Sequence, residues 1–275
     1  MRLVRILALL LAPSVAAFAA APQADARPAS RHHLLVTVNA NQSSNWSGYN
    51  QGTLEQGSKL FTQVSGDWTV PTARPHVRGQ DEYSSSWLGI GGGCVDAACN
   101  VTDSTLIQAG TEQDVNAAGK ASYSAWYELI PAPSLTITSL AVAPGNRMHV
   151  DIRETVADSN VWVITVKNLT TGKSFTTTVP YSSTHATAEW IEETPLVIDT
   201  GGGAGLAAMP NLGAVSFDQA FTNGSRAGLK TSEEMQLVDS SNPPKPIATP
   251  SAPDRGRDGF RDCVWASTCR APSGD

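Results

Sequence analysis

The sequence predicts an all-β fold, a sandwich of two antiparallel sheets, and three observations carry that prediction. Short runs rich in Val, Ile, Thr, Tyr and Trp recur along the chain. Gly and Pro punctuate them at intervals of about ten residues, the spacing of turns in sandwiches and barrels. No stretch sustains the 3.6-residue apolar repeat of a long helix.

Taken in order, the chain opens with Arg2 and Arg5 before the apolar run 6–12, then small residues around Ala17-Phe18-Ala19 and Ala24-Asp25-Ala26. A basic start, a short apolar stretch and an A-x-A ending describe a secretory signal peptide, assigned here to residues 1–26 with its cleavage point open. The run is shorter than the ~20 residues that cross a bilayer as a helix. The expected product is secreted, with no membrane partner. Residues 27–40 mix Ala, Pro, Arg and His without periodicity and read as a leader or short pro-segment. His32 and His33 fall there, which places them outside the expected catalytic set.

Residues 41–240 read as the main domain. Gly66–Val70 closes one run and Ser85–Ile90 forms the next, ahead of a Gly91–Gly93 turn. Residues 123–130 and 147–152 alternate, and 161–166 is apolar enough to be a buried strand. Asn168 and Gly172 then make a turn into 174–179, the clearest hairpin signal in the chain. From 241 to 275 the composition shifts: prolines crowd residues 243–253, then a possible last strand leads to a disulfide-closed tail.

Composition narrows the function classes. Hydrophobic residues make up 41% of the chain, and its formal net charge is −6. With no basic cluster, nucleic acid is an unexpected partner. Cys94/Cys99 and Cys263/Cys269 form two local pairs, and pairing neighbours is the simplest of the three possible connectivities in an exported chain. Their spacings fit no zinc site, and a two-histidine metal motif is missing, so no metal or cofactor is expected. No G-x-S-x-G is present. Val197-Ile198-Asp199-Thr200-Gly201 has the form of an aspartic protease motif, but such a site needs two aspartates sharing a proton. The nearest partner, Asp239-Ser240-Ser241, lacks the glycine.

Two segments about eighty residues apart carry chemistry: Leu106-Ile107-Gln108-Ala109-Gly110 and Ala188-Glu189-Trp190-Ile191-Glu192-Glu193. Peptide hydrolysis needs an activated water and a donor where the carbonyl oxygen turns negative. A glutamate supplies the first and a glutamine amide the second. Taken alone, Gln108 is a polar strand residue and the three glutamates an acidic cluster. Alternation puts Glu189, Ile191 and Glu193 on one face of a strand, so either outer carboxylate could meet a cleft.

The order of the surrounding motifs adds a resemblance. Asn45-Trp46-Ser47-Gly48-Tyr49, Ser86-Trp87-Leu88-Gly89-Ile90-Gly91-Gly92, Ile107-Gln108-Ala109-Gly110, Ala125-Trp126-Tyr127-Glu128, Ala188-Glu189-Trp190-Ile191 and Phe221-Thr222-Asn223-Gly224 follow one another. As an ordered set they resemble the glutamic peptidases, or eqolisins. That resemblance implies a lectin-like sandwich of two antiparallel sheets and a secreted acid endopeptidase working as a monomer on protein or peptide substrates. It implies a Gln108/Glu189 dyad, with Trp46, Trp126 and Glu128 as substrate-binding neighbours. The chain departs from the family pattern at Ser124 and Ile130, where Asp and Tyr are common, which bears on pH optimum and specificity. A carbohydrate-binding lectin-like sandwich without hydrolysis is the alternative function class, and a glycosidase using Glu128 and Glu189 a third.

Overall fold

A computed structural model describes residues 30–198 and 202–273. Its major strands are β1 (Ser30–His32), β2 (Trp46–Gly52), β3 (Gln63–Thr69), β4 (Ser85–Gly91), β5 (Leu106–Val115), β6 (Ala121–Leu129), β7 (Arg147–Glu154), β8 (Val161–Asn168), β9 (Lys173–Pro180), β10 (Thr187–Glu193), β11 (Leu196–Ile198), β12 (Ala204–Leu206), β13 (Ala214–Thr222), β14 (Glu234–Val238), β15 (Pro246–Pro250) and β16 (Phe260–Val264). Among the described residues the one helical element is a 3₁₀ turn at Thr231–Glu233, and none crosses a membrane as a helix. The expected all-β sandwich is what forms.

One sheet runs β2-β10-β4-β5-β6, antiparallel throughout. The second runs β9-β8-β7-β3-β13-β16-β15. β14 joins them, bonding β15 on one side and β2 on the other. A small third sheet, β1-β11-β12, rises from the end of β10. The Asn168/Gly172 turn closes as expected: Gly172 donates to the Asn168 carbonyl at 2.9 Å with φ +71°. The tail departs from the expectation of one last strand by adding two, β15 and β16. Pro246 and Pro250 occupy the ends of β15, where a missing N–H disturbs the ladder least.

The core lies between the two large sheets. Leu88, Ile90, Ile107, Ala109 and Trp190 from the first sheet pack against Val64, Trp68, Met148, Val150 and Phe217 from the second. Trp190 fixes the spacing, because its indole N–H donates to the Ser65 carbonyl at 3.0 Å. Opposite this core, the first sheet carries a second buried cluster that includes Trp46, Trp87, Trp126 and Ile191. This sheet is therefore covered on both sides, and β2, β4 and β10 are buried at every position.

Both cysteine pairs close as neighbours, Cys94–Cys99 and Cys263–Cys269. Gly48 shows why glycine is needed within β2. Its φ is +139°, and a Cβ there would stand 2.1 Å from the Trp190 carbonyl oxygen. Gly48→Ala is expected to cost about 3 kcal/mol or more, through combined strain and backbone displacement. Urea denaturation would read this as a lower midpoint, and an unchanged midpoint would contradict it.

Candidate active site

The second face of the first sheet gathers the sequence-predicted residues by register. Gln108 in β5 stands directly opposite Glu128 in β6 and Gly89 in β4. Cross-strand partners point to the same face. Gln108 Nε2 donates to Glu128 Oε2 at 2.7 Å, and both side chains are almost wholly buried. Gly89 leaves the space beside Gln108 open, since a Cβ there would lie 3.0 Å from Gln108 Cβ. Two residues along, Trp87 and Trp126 flank Gly110 in the same way. Trp46 meets Trp87 edge-on, with ring centroids 4.8 Å apart.

The two outer glutamates of β10 part company. Glu193 faces the tryptophans: Trp87 Nε1 donates to Glu193 Oε2 at 2.7 Å, and Asn45 Nδ2 donates to Oε1 at 3.2 Å. Glu189 lies at the other end of the strand, under the turn that follows β4. A Cβ on Gly93 would come within 2.7 Å of Glu189 Oε1. Burial, with only the Thr187 hydroxyl and the Gly93 backbone to offset it, pushes the Glu189 carboxyl well above its ordinary value. Burial therefore favours its neutral form, which is the form that does not accept a proton from water. Glu192 takes the opposite face, bonded by the Ser86 hydroxyl at 2.5 Å.

A stretch of the chain itself fills the cleft. β1 pairs with β11, with Arg31 opposite Val197 and His32 opposite Leu196. The next residue, His33, is fully buried on the floor. Its ring stacks on Trp126 with centroids 4.0 Å apart, and its Nδ1 lies 2.9 Å from Glu193 Oε2. Its backbone carbonyl oxygen sits 3.5 Å from Gln108 Nε2. His32 Nδ1 is 3.3 Å from Glu128 Oε1. Sequence reasoning had set both histidines outside the site because they precede the domain in sequence. The paired strands bring them back to its centre.

The departures from the family pattern are visible too. Ser124 donates to Glu112 Oε2 at 2.9 Å, and Ile130 joins the tryptophan cluster. Among the Asn-x-Ser/Thr sequons of the chain, those at Asn45 and Asn168 have a completely buried asparagine, whereas Asn100 and Asn223 are exposed. Asp199–Gly201 lies outside the described residues. On the other sheet, Asp218, Asp254 and Asp258 bring carboxylate oxygens within 4.8 Å of one another, with Arg226 Nε 3.5 Å from Asp258.

Burial also sets how stability depends on pH. It pushes Glu128, Asp114 and Asp262 each up to about 7. Unfolded, such groups titrate near 4. The folded state therefore binds more protons between about pH 4 and 7, so stability is full below that window and falls as pH rises through it. Thermal melts should give a higher midpoint at pH 4 than at pH 8. Asp262→Asn should flatten the slope, and a midpoint rising with pH would contradict the assignment.

Comparison with known proteins accords with this site. The sequence profile described as "Peptidase A4 family" matches residues 44–254. The fold matches scytalido-glutamic peptidase bound to a transition-state analogue inhibitor, with a TM-score of 0.61 and 19% identity over 80% of this chain and 98% of that one. It also matches SCP-B, an eqolisin in complex with the tripeptide Ala-Ile-His, with a TM-score of 0.51 and 18% identity over 80% of this chain and 98% of that one. Aspergilloglutamic peptidase from Aspergillus niger matches with a TM-score of 0.53 and 25% identity over 66% of this chain and 99% of that one. No match was found among curated proteins. The matched profile spans most of the chain and includes every cleft residue named above from Asn45 onward, so the chain belongs to the Peptidase A4 family and is a glutamic endopeptidase.

Proposed function

We propose that the chain is an exported acid endopeptidase in which Glu193 activates water and Gln108 stabilises the oxyanion. This moves the general base from Glu189, the sequence expectation, to its neighbour four residues on. One observation carries the reading. The peptide segment that lies in the cleft brings its carbonyl oxygen to the Gln108 amide and its side chain to Glu193.

The chemistry follows from that placement. Ionised Glu193 takes a proton from water as the oxygen attacks the substrate carbonyl carbon. The Gln108 NH₂ has two hydrogens: one goes to Glu128, and the other is free for the developing oxyanion. Collapse of the tetrahedral adduct breaks the C–N bond, and protonated Glu193 passes its proton to the leaving amine. Glu128 orients the amide. An amide does not titrate, so the oxyanion donor survives acid. Trp46, Trp87 and Trp126 exclude water and offer apolar walls to substrate side chains. The β11 edge offers main-chain bonds to an extended peptide, as it does to β1.

Every group named comes from one chain, so a monomer suffices. Export is supported by the basic-apolar-small pattern of residues 1–26, which lies outside the described residues, and by the two disulfides. Peptide substrates are supported by the peptide-derived ligands in the related structures. The test is cleavage of a denatured protein at acid pH with pepstatin present. Pepstatin-insensitive hydrolysis is expected. Full inhibition would return the aspartic motif at Asp199, and no hydrolysis at any acid pH would reject the reading.

A further inference from the structure

Beyond the Glu193 end of the cleft lies a pocket that the hydrolytic step does not use. The peptide lying in the cleft marks the track toward it. Its His33 carbonyl stands at Gln108, so the bond after His33 occupies the scissile position, and Leu34, Leu35 and Val36 follow. The Val36 carbonyl accepts from the Ser44 N–H at 2.8 Å and from the Ser43 hydroxyl at 3.1 Å. A substrate on this track is fastened at its third residue past the cut.

Ser44 also lines a pocket of about 420 Å³, together with Thr194, the residue that follows Glu193. Thr194 joins the cleft to this pocket. Its N–H donates to the Asn45 carbonyl at 3.0 Å, and its hydroxyl donates to the Ala207 carbonyl at 2.7 Å. Three large apolar side chains that the fold leaves exposed meet here: Val77, Leu206 and Trp265, at 45%, 39% and 37%. Met209 and Ile247 complete the apolar lining. A concave, mainly apolar site of this size suits one bulky apolar group.

The walls are held in place. Glu82, fully buried, accepts from the backbone N–H of His76 at 2.8 Å and of Val77 at 2.6 Å. The His76 ring stacks on Trp265, with centroids 3.6 Å apart and planes 5° from parallel. Trp265 lies in the loop closed by Cys263–Cys269, and its N–H donates to the Ile247 carbonyl at 2.5 Å. Its φ is +58°, a conformation a bulky residue adopts only where its surroundings impose it. The chain's other six tryptophans are buried. Trp265 also lies beyond residues 44–254, the extent of the family match, so this wall is the chain's own addition.

We propose that this pocket is a specificity subsite for a bulky apolar side chain three or four residues past the scissile bond, with Trp265, backed by His76, as its recognition wall. The inference rests on the catalytic reading above and adds a substrate preference to it.

The test uses initial rates of the full chain on a peptide series cut at one shared bond, confirmed by mass. The parent carries Ser at the five positions past that bond, and each other member places Phe at one of them. For wild type, Phe at the third or fourth position should raise kcat/KM over the parent by about tenfold or more, the scale of an apolar group gaining a pocket. Trp265→Ala should abolish that gain and leave the parent's kcat unchanged, while Trp265→Phe should keep most of it. The ratio of two peptides on one enzyme cancels any loss of folded protein and anything that competes for the cleft. A merely structural Trp265 would therefore leave the ratio unmoved. An unmoved ratio in Trp265→Ala, or a gain confined to other positions, would overturn the proposal. If neither chain cleaves any peptide, the catalytic reading fails, and anisotropy of the labelled Phe peptide decides this inference. Binding about tenfold weaker to Trp265→Ala than to wild type supports it, and equal or absent binding ends it.

Discussion

Glu193→Gln should lower kcat by about 10³-fold or more, while Glu189→Gln keeps activity within about tenfold of wild type. The contrast follows from where each carboxyl sits. Glu193 is within bonding distance of Trp87, Asn45 and the peptide in the cleft. Replacing its carboxylate by an amide keeps shape and removes the proton acceptor. Burial favours the neutral form of Glu189, beside Thr187 and Gly93. A carboxamide resembles a protonated carboxyl in size and charge, so Glu189→Gln changes little. Initial rates of peptide cleavage at acid pH, with melting curves to confirm folding, read both. If Glu189→Gln is the dead variant and Glu193→Gln the active one, the base assignment reverts.

The same comparison shows what the sequence could carry. Period-two alternation placed Glu189 and Glu193 on one face, and that was correct. It could not choose between them, because the choice is made by non-local packing. The turn after β4 folds over Glu189, and Asn45, Trp87 and the leader converge on Glu193. The pairing of Gln108 with Glu128 depends on strand register, which neither motif states alone. Trp87 reads as an apolar strand residue, yet its indole N–H holds the Glu193 carboxylate.

Other features were legible because they are local. Cysteine spacing predicted both disulfides, and the Asn168/Gly172 turn was readable from five residues. The leader's position was not. Ser30–His32 pairs with residues more than 160 positions later, and nothing in its own composition names that partner. A basic segment preceding an acidic domain was the one available signal, and Arg31 against Glu112 and Asp114 is its structural counterpart.

Gln108→Ala should cut kcat by about 10²- to 10³-fold with a smaller change in KM, the signature of a donor used mainly in the transition state. In the ground state its amide is committed to Glu128 at 2.7 Å and only approaches a peptide carbonyl at 3.5 Å. As the carbonyl oxygen gains charge and moves out of plane, that longer contact is the one that strengthens. Removing it costs the transition state more than the bound substrate. Glu128→Gln should be milder, since it disturbs the orientation of the donor but leaves the donor in place. Burial holds Glu128 near 7, so below that pH it carries a proton and keeps one carbonyl oxygen to accept from Gln108. The profile of Glu128→Gln should therefore differ most from wild type near neutrality and least in acid. A Gln108→Ala variant that lost only KM would show that the amide binds substrate without stabilising charge, and the oxyanion role would pass to another group.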